Sequence, residues 1–298
     1  MQAGLGQLFE HLTQDMPLTA PHLRAWALDL AGSQEPAAYY LHPVAFPLML
    51  LPWWLERQLK GSVDLSFQQD LVDSNASLYY YVRLVDNVMD GHATVEPKLL
   101  PAAGYFVNRF HNIYHRYFSL DHDFWNFFDQ VWAGFCDVTA ADGQLTDVDD
   151  TTFHNLIARK VSAAKISVAA VCHRYERSDL IQAWDQWIDT FGAWHLFRED
   201  LFDWQQDLQL GNATFLLSEA RRQKRPSEPE ASWIAREGLA WAIQKLNDWM
   251  RSLRQMNFVS AEVLAYLDMR EAEVLARRES LRPAYEFIRR LTESASHE

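Results

Sequence analysis

Residues 232–256 read SWIAREGLAWAIQKLNDWMRSLRQM. Within this stretch Leu239, Ile243, Leu246, Met250 and Leu253 recur at spacings of three and four, while Arg236, Lys245 and Asp248 fall on other faces. That is the period of an amphipathic α-helix and not the two-residue alternation of a strand. Working outward, similar patterns occupy about 64–90, 99–118, 121–137, 150–174, 178–210, 260–277 and 281–294. Alternating Val, Ile and Thr runs between Asn-Gly or Asp-Gly turns hardly occur. An all-α chain of roughly eight to ten helices is expected. The separators are Gly91 with Pro97, Asp142-Gly143, Gly211 and the polar stretch Arg221–Pro229. None is long or Gly/Ser-rich enough to uncouple two cores and no internal repeat is present, so one domain over 1–298 is expected.

Composition narrows the function classes. The chain has 298 residues, 49% hydrophobic and 22% charged, enough apolar material for a large core. Lys plus Arg number 27 against 40 Asp plus Glu, a formal net charge of −13, so nothing draws the protein onto nucleic acid or anionic lipid. Cys136 and Cys172 are too few for a disulfide framework and lack zinc-site spacing; they read as reduced core cysteines. Met1–Met16 has no basic segment ahead of an apolar one and does not read as a signal peptide. The longest apolar run, Val44–Leu55, contains Pro47 and Pro52 and falls short of the roughly 20 residues a bilayer requires. A cytoplasmic protein without a transmembrane segment is expected. Aromatic content of 13% exceeds what packing ordinarily calls for.

Two acidic clusters carry the chemistry. In Ser77–Asp90 the few polar side chains stand in an apolar and aromatic helix, and Tyr79, Arg83, Asp86 and Asp90 fall within an arc of roughly 60°. Charges on a mostly buried helix are costly unless they meet a cation, a partner or water. An Arg83–Asp86 ion pair with a helix-end aspartate is the plain structural alternative. In Phe197–Asp207 the residues Glu199, Asp200, Asp203 and Asp207 lie within roughly 100° of one another, and no Lys or Arg shares their stripe. Leu201, Phe202 and Trp204 make the rest of that surface too apolar for a solvated face. Divalent metal is the natural relief, since Mg2+ takes one or two carboxylates per ion with phosphate oxygens completing its octahedron. A third element, Arg159-Lys160 ahead of Val161-Ser162-Ala163-Ala164, lets a helix approach closely and a Lys reach a phosphate; taken alone it reads as a solvent-facing pair.

Over about residues 70–215 these elements resemble the class I isoprenoid synthase superfamily, which comprises trans-prenyltransferases, squalene and phytoene synthases and class I terpene synthases. Asp86-Asn87-Val88-Met89-Asp90 is similar to its first aspartate-rich motif, and Tyr79 and Arg83 to the residues leading into it in squalene and phytoene synthases. Glu199-Asp200-Leu201-Phe202-Asp203, with Asp207 and Gly211 following, is similar to the second. Gly143-Gln144 and Lys160 resemble the Gly-Gln and Lys-Thr signatures of prenyltransferases. The resemblance implies a single all-α bundle of the class I terpenoid synthase type. Departures point to a subfamily: no Arg-Arg-Gly follows the first motif and no Gly-Lys-Arg occurs, so only one diphosphate pocket is advertised. The Asn-x-x-x-Ser-x-x-x-Glu signature of terpene synthases is also absent, and a cyclase here would be of a prenyltransferase-like type.

The implied activity is that of a terpene synthase, a lyase that ionises one allylic prenyl diphosphate and lets the carbocation cyclise or rearrange. The resemblance implies roughly three Mg2+ ions, or Mn2+ in their place, held by Asp86, Asp90, Asp200, Asp203 and Asp207 with Glu199 supplementing them. Arg83, Lys160 and Arg159 would bind the diphosphate. Tyr79, Tyr80, Phe197 and Phe202 would stabilise the cation through their ring faces, although ordinary core packing accounts for any one of them. The alternatives are a trans-prenyltransferase or squalene/phytoene synthase-type condensing enzyme, and a non-catalytic helical protein that keeps the fold. A homodimer is a further expectation. His111 and His115 lack the Glu of a zinc-hydrolase motif. In the C-terminal segment Arg277, Arg278, Arg282 and Tyr285 could form a basic lid, but a solvated helix face is the better reading.

Overall fold

The computed structural model describes residues 1–32, 36–42, 45–89, 99–142, 144–256 and 258–295. Fourteen α-helices run through the described residues: α1 (Gln2–Asp15), α2 (Ala20–Leu30), α3 (Pro36–Tyr40), α4 (Leu51–Lys60), α5 (Leu65–Met89), α6 (Leu100–Asn112), α7 (Phe124–Asp142), α8 (Asp150–Asn155), α9 (Ala164–Arg174), α10 (Ile181–Leu210), α11 (Phe215–Gln223), α12 (Glu230–Trp233), α13 (Leu239–Gln255) and α14 (Ala261–Ala295). Short 3-10 turns occupy Ile113–Arg116, Ile157–Val161 and Ser178–Leu180, and a π-turn occupies Ile234–Gly238. Among the described residues there is no strand, and no helix is long and apolar enough to cross a membrane.

The all-α expectation holds, but the described residues form fourteen helices against the eight to ten expected, α1 to α4 among the additions, and two of the expected patterns also differ. The pattern at 150–174 divides into α8, a 3-10 turn and α9, because Leu156 (φ −118°, ψ −69°) leaves α-helical geometry. The patterns at 260–277 and 281–294 are one helix, α14, which runs through Pro283. Proline removes one N–H and crowds the carbonyl a turn earlier. Here Glu279, Arg282 and Pro283 are all exposed, so water can take the freed carbonyl.

The chain sorts into two compact units, Met1–Gln130 with Ala164–Ile181, and Val131–Ala163 with Gln182–Glu298. Each draws on two separated stretches of sequence.

In the first unit α5 is the central element. Its Val72, Ala76, Tyr80 and Leu84 pack with Leu5, Leu8 and Leu12 of α1, Leu23 and Trp26 of α2, and Ala102 and Phe106 of α6. Full burial of each large side chain contributes about 1.5–3 kcal/mol. Gly4 permits the approach of α1, since a Cβ there would lie 2.8 Å from the Gln69 carbonyl oxygen and 2.9 Å from the Val72 side chain. The two aspartates that α5 buries are paired: Asp70 accepts from Arg116 (2.8 Å) and Tyr117 (2.5 Å), and Asp73 from Arg109 (2.7 Å). Asp64 caps the helix, accepting from the backbone N–H of Ser66 (3.1 Å) and Phe67 (3.2 Å), and Arg174 donates to its other oxygen at 2.6 Å.

The second unit is built around α10. Trp184, Trp187, Ile188, Phe191, Trp194, Phe197 and Leu201 are all at most 1% exposed. The stretch 232–256 contributes Ile243, Leu246, Met250 and Leu253 from α13, as its period predicts, together with Ala242, while Leu239 is only half-buried. Ahead of α13 the π-turn shifts the register, and Gly238 accommodates the Trp233 ring, which would come within 2.6 Å of a Cβ.

Candidate active site

The acidic stripe lies on α10, and its position follows from helical spacing. Gly192, Glu199 and Asp203 are separated by seven and four residues, so they share one face, with Asp200 and Asp207 turned roughly 60–80° to one side. Glycine at 192 lets the 3-10 turn Ile157–Val161 press against α10. A Cβ there would lie 2.6 Å from both the Ala158 carbonyl oxygen and Val161 Cγ2. That contact delivers Lys160 to the stripe. Its Nζ donates to Asp142 Oδ2 at the end of α7 (2.5 Å), and its charge bears on both Glu199 and Asp200.

The four carboxyls have different surroundings. Asp200 accepts the Phe215 backbone N–H at the start of α11 (3.1 Å). Burial pushes its carboxyl up to about 8; the Phe215 bond opposes this, the charges of Asp207 and Glu199 add to it, and Lys160 offsets part. Glu199 keeps 49% of its side chain accessible, yet the surrounding protein desolvates its carboxyl and raises it too. Arg198 pulls the other way and Asp203 pushes up. Asp203 is exposed and accepts from Arg277 of α14 at 3.3 Å. Asp207 accepts from the Asn212 side chain (2.9 Å) where Gly211, at φ +76°, ends the helix.

No protein-family model, curated protein or solved structure matches this chain. The site therefore stands on its own chemistry. Its donors are anionic oxygens, the type that hard divalent cations take. Among the described residues no three His, Cys, Asp or Glu side chains converge on one metal position. An ion held by one or two carboxylates, with phosphate and water completing its shell, requires no such triple. All four donors are carboxylate oxygens on one stretch of α10, and in that respect the residues fit Mg2+.

Other expected site residues fall as follows. Lys160 sits on a 3-10 turn and not on an α-helix, and Arg159 beside it is exposed. Phe197 is fully buried among Phe153, Phe215, Trp241 and Trp249, so it is a core ring. Phe202 has the Arg277 guanidinium 4.5 Å from its ring centroid and Arg198 at 5.7 Å, so cations of the chain itself already attend its face. In the first unit Arg83 donates to Asp86 at 2.9 Å, which is the structural ion pair weighed above. Tyr79 donates to the Tyr39 hydroxyl (2.8 Å), and Tyr80 packs with Trp26, Tyr40 and Phe106 in the core. Asp90 and Gly143 lie outside the described residues. The rings of His111 and His115 lie tilted against Trp125, with centroids at 4.9 and 4.3 Å.

Sequence reading missed the second unit's cationic support. Arg277, read as part of a solvated face, reaches Asp203. Arg198, 3% exposed, forks onto Glu273 of α14 at 2.9 and 2.7 Å. Arg270 is fully buried, with His195 and Tyr266 as neighbours. The available signal was the stripe Val263, Leu267, Arg270, Val274, in which an arginine takes a core position of the repeat.

One further feature of the first unit gathers residue types that ligate metals. A surface cavity of about 530 Å3 is lined by His122, His173, Asp121, Asp123 and Glu176. There the Phe124 backbone N–H donates to His122 Nδ1 at 3.0 Å. The neutral ring then carries its proton on Nε2, and neither nitrogen is open to an ion.

Proposed function

We propose that this chain is a class I terpene synthase, which ionises one allylic prenyl diphosphate with Mg2+ and converts the cation to a terpene. The observation that carries the reading is the α10 stripe of Glu199, Asp200, Asp203 and Asp207, with Lys160 brought to it across Gly192. A purely structural helix would gain stability by losing such crowded acids. Mg2+, when bound, would neutralise charge on the departing diphosphate. Asp200, Asp203 and Asp207 would hold the metal with Glu199 supplementing them. Lys160, steadied by Asp142, would donate to a diphosphate oxygen, and Arg277 would do the same once drawn from Asp203. The allylic C–O bond breaks with its electron pair on the diphosphate, and the cation is quenched by loss of a proton or addition of water.

The test is incubation of the purified protein with Mg2+ and single prenyl diphosphates of increasing length, with and without isopentenyl diphosphate. Diphosphate release from one substrate, abolished in Asp203→Ala, is the expected result. Turnover only with isopentenyl diphosphate would make the chain a condensing enzyme. No metal-dependent turnover on any of them would overturn an enzymatic role.

A further inference from the structure

Behind the acidic stripe lies a buried chain of polar groups that the activity above does not use. Arg270 is fully buried on α14, with its guanidinium 5.0 Å from the Trp194 ring centroid and 5.6 Å from that of Phe191. Its Nη1 donates to the Tyr266 hydroxyl at 2.8 Å, which anchors the fork, and its Nη2 lies 3.1 Å from His195 Nδ1. A guanidinium has donors only, so Nδ1 must accept. The neutral imidazole then carries its hydrogen on Nε2. That nitrogen is 3.5 Å from Glu199 Oε1, one helical turn further along α10.

We propose that His195 is a positioning residue for Glu199, locked by Arg270 in the tautomer that directs an N–H at the first carboxylate of the stripe. A metal-site carboxylate works best when its free oxygen is oriented by a group behind it. His195, 6% exposed and held by Arg270, presents its Nε2–H 3.5 Å from Glu199 Oε1. The same lock bars His195 from serving as the base that collects the final proton, because Nδ1 is engaged and Nε2 already bears a hydrogen. The use made of Glu199 rests on the terpene synthase reading; the tautomer does not.

The test has two parts, both on the full chain. Long-range 15N–1H imidazole correlation should show His195 as the Nε2–H tautomer in the wild type, with that preference lost in Arg270→Met. Arg270→Gln, whose amide can accept from the ring as well as donate to it and so no longer dictates the tautomer, serves if the methionine variant does not fold. Binding of Mn2+ alone, followed by electron paramagnetic resonance, should weaken about tenfold in His195→Leu. It should be restored in His195→Gln, whose amide N–H can take the place of Nε2–H. An Nδ1–H tautomer in the wild type, or a leucine variant that binds Mn2+ as the wild type does, would overturn the proposal. Wild-type protein that shows the Nε2–H tautomer but binds no Mn2+ would overturn the positioning role together with the metal reading of the stripe. Mn2+ binding that depends on His195, without turnover of any prenyl diphosphate, would support the positioning role and count against the terpene synthase reading alone.

Discussion

Asp200 shows how one side chain can be stable in place and still be poised for a ligand. Its carboxyl keeps a proton to about pH 8 because burial and the neighbouring acids outweigh the Phe215 N–H and Lys160. At neutral pH an amide is therefore nearly isosteric with what is already there. Asp200→Asn should keep folding stability within about 1 kcal/mol of wild type in urea melts, while the rise in melting temperature caused by Mg2+ with diphosphate disappears. A large loss of stability without ligand would show that the carboxylate itself holds α11 in place. The stripe to which Asp200 belongs was legible in the sequence, because four acids at helical spacing without a basic neighbour are visible in one dimension. Arg270 with His195, and Arg198 with Glu273, were not, since each pair spans 75 residues and meets only when α14 lies along α10.

At the scale of the element, two joints decide where the chemistry sits. The first is the contact of the turn Ile157–Val161 with α10 at Gly192. Alanine there would drive a methyl group into backbone and not merely into a flexible side-chain end. Gly192→Ala should cost about 1–3 kcal/mol in a urea titration and reduce diphosphate release more than stability, because Lys160 shifts with the turn. The second joint is the start of α5. The Phe67 backbone N–H, with help from Arg174 and the Ser66 N–H, holds the Asp64 carboxyl below the usual carboxylate range against a partly opposing desolvation. A depressed carboxyl stabilises the fold above its unfolded value of about 3.9, and that stability is lost as pH falls through the lower folded value. Melts at pH 6 and pH 3 should therefore differ less in Asp64→Ala than in wild type, with a cost at pH 6 of about 1 kcal/mol. Periodicity exposed the long helices well. It left residues 1–63 unassigned although α1 to α4 lie there, because α1 carries two glycines and α4 opens inside a proline-punctuated apolar run. It also split α14 at a proline that an exposed face tolerates.

For the whole molecule, charge sets the terms on which any ligand arrives. A chain with a formal net charge of −13 repels diphosphate at long range, so an anionic substrate must come with its countercharge. Inorganic diphosphate alone should leave the melting temperature unchanged, and Mg2+ alone should raise it slightly. The two together should raise it by the amount that ligand linkage gives at the concentrations used. Differential scanning fluorimetry would check this, and stabilisation by diphosphate in the presence of a chelator would contradict it. Each compact unit has its own aromatic core, and this accounts for the high aromatic content in terms of packing.

That aromatic packing also makes α10 an optical instrument. Trp184, Trp187, Trp194 and Trp204 all stand on the helix that bears the acids, and Trp204 is hydrogen-bonded through its indole to the Tyr285 hydroxyl at 2.7 Å. Trp204 directly follows Asp203 in the chain, so an ion drawn to the stripe changes the electric field across that indole. Its emission should shift on loading with no label attached, and the difference between wild type and Trp204→Phe would isolate its signal from the other tryptophans.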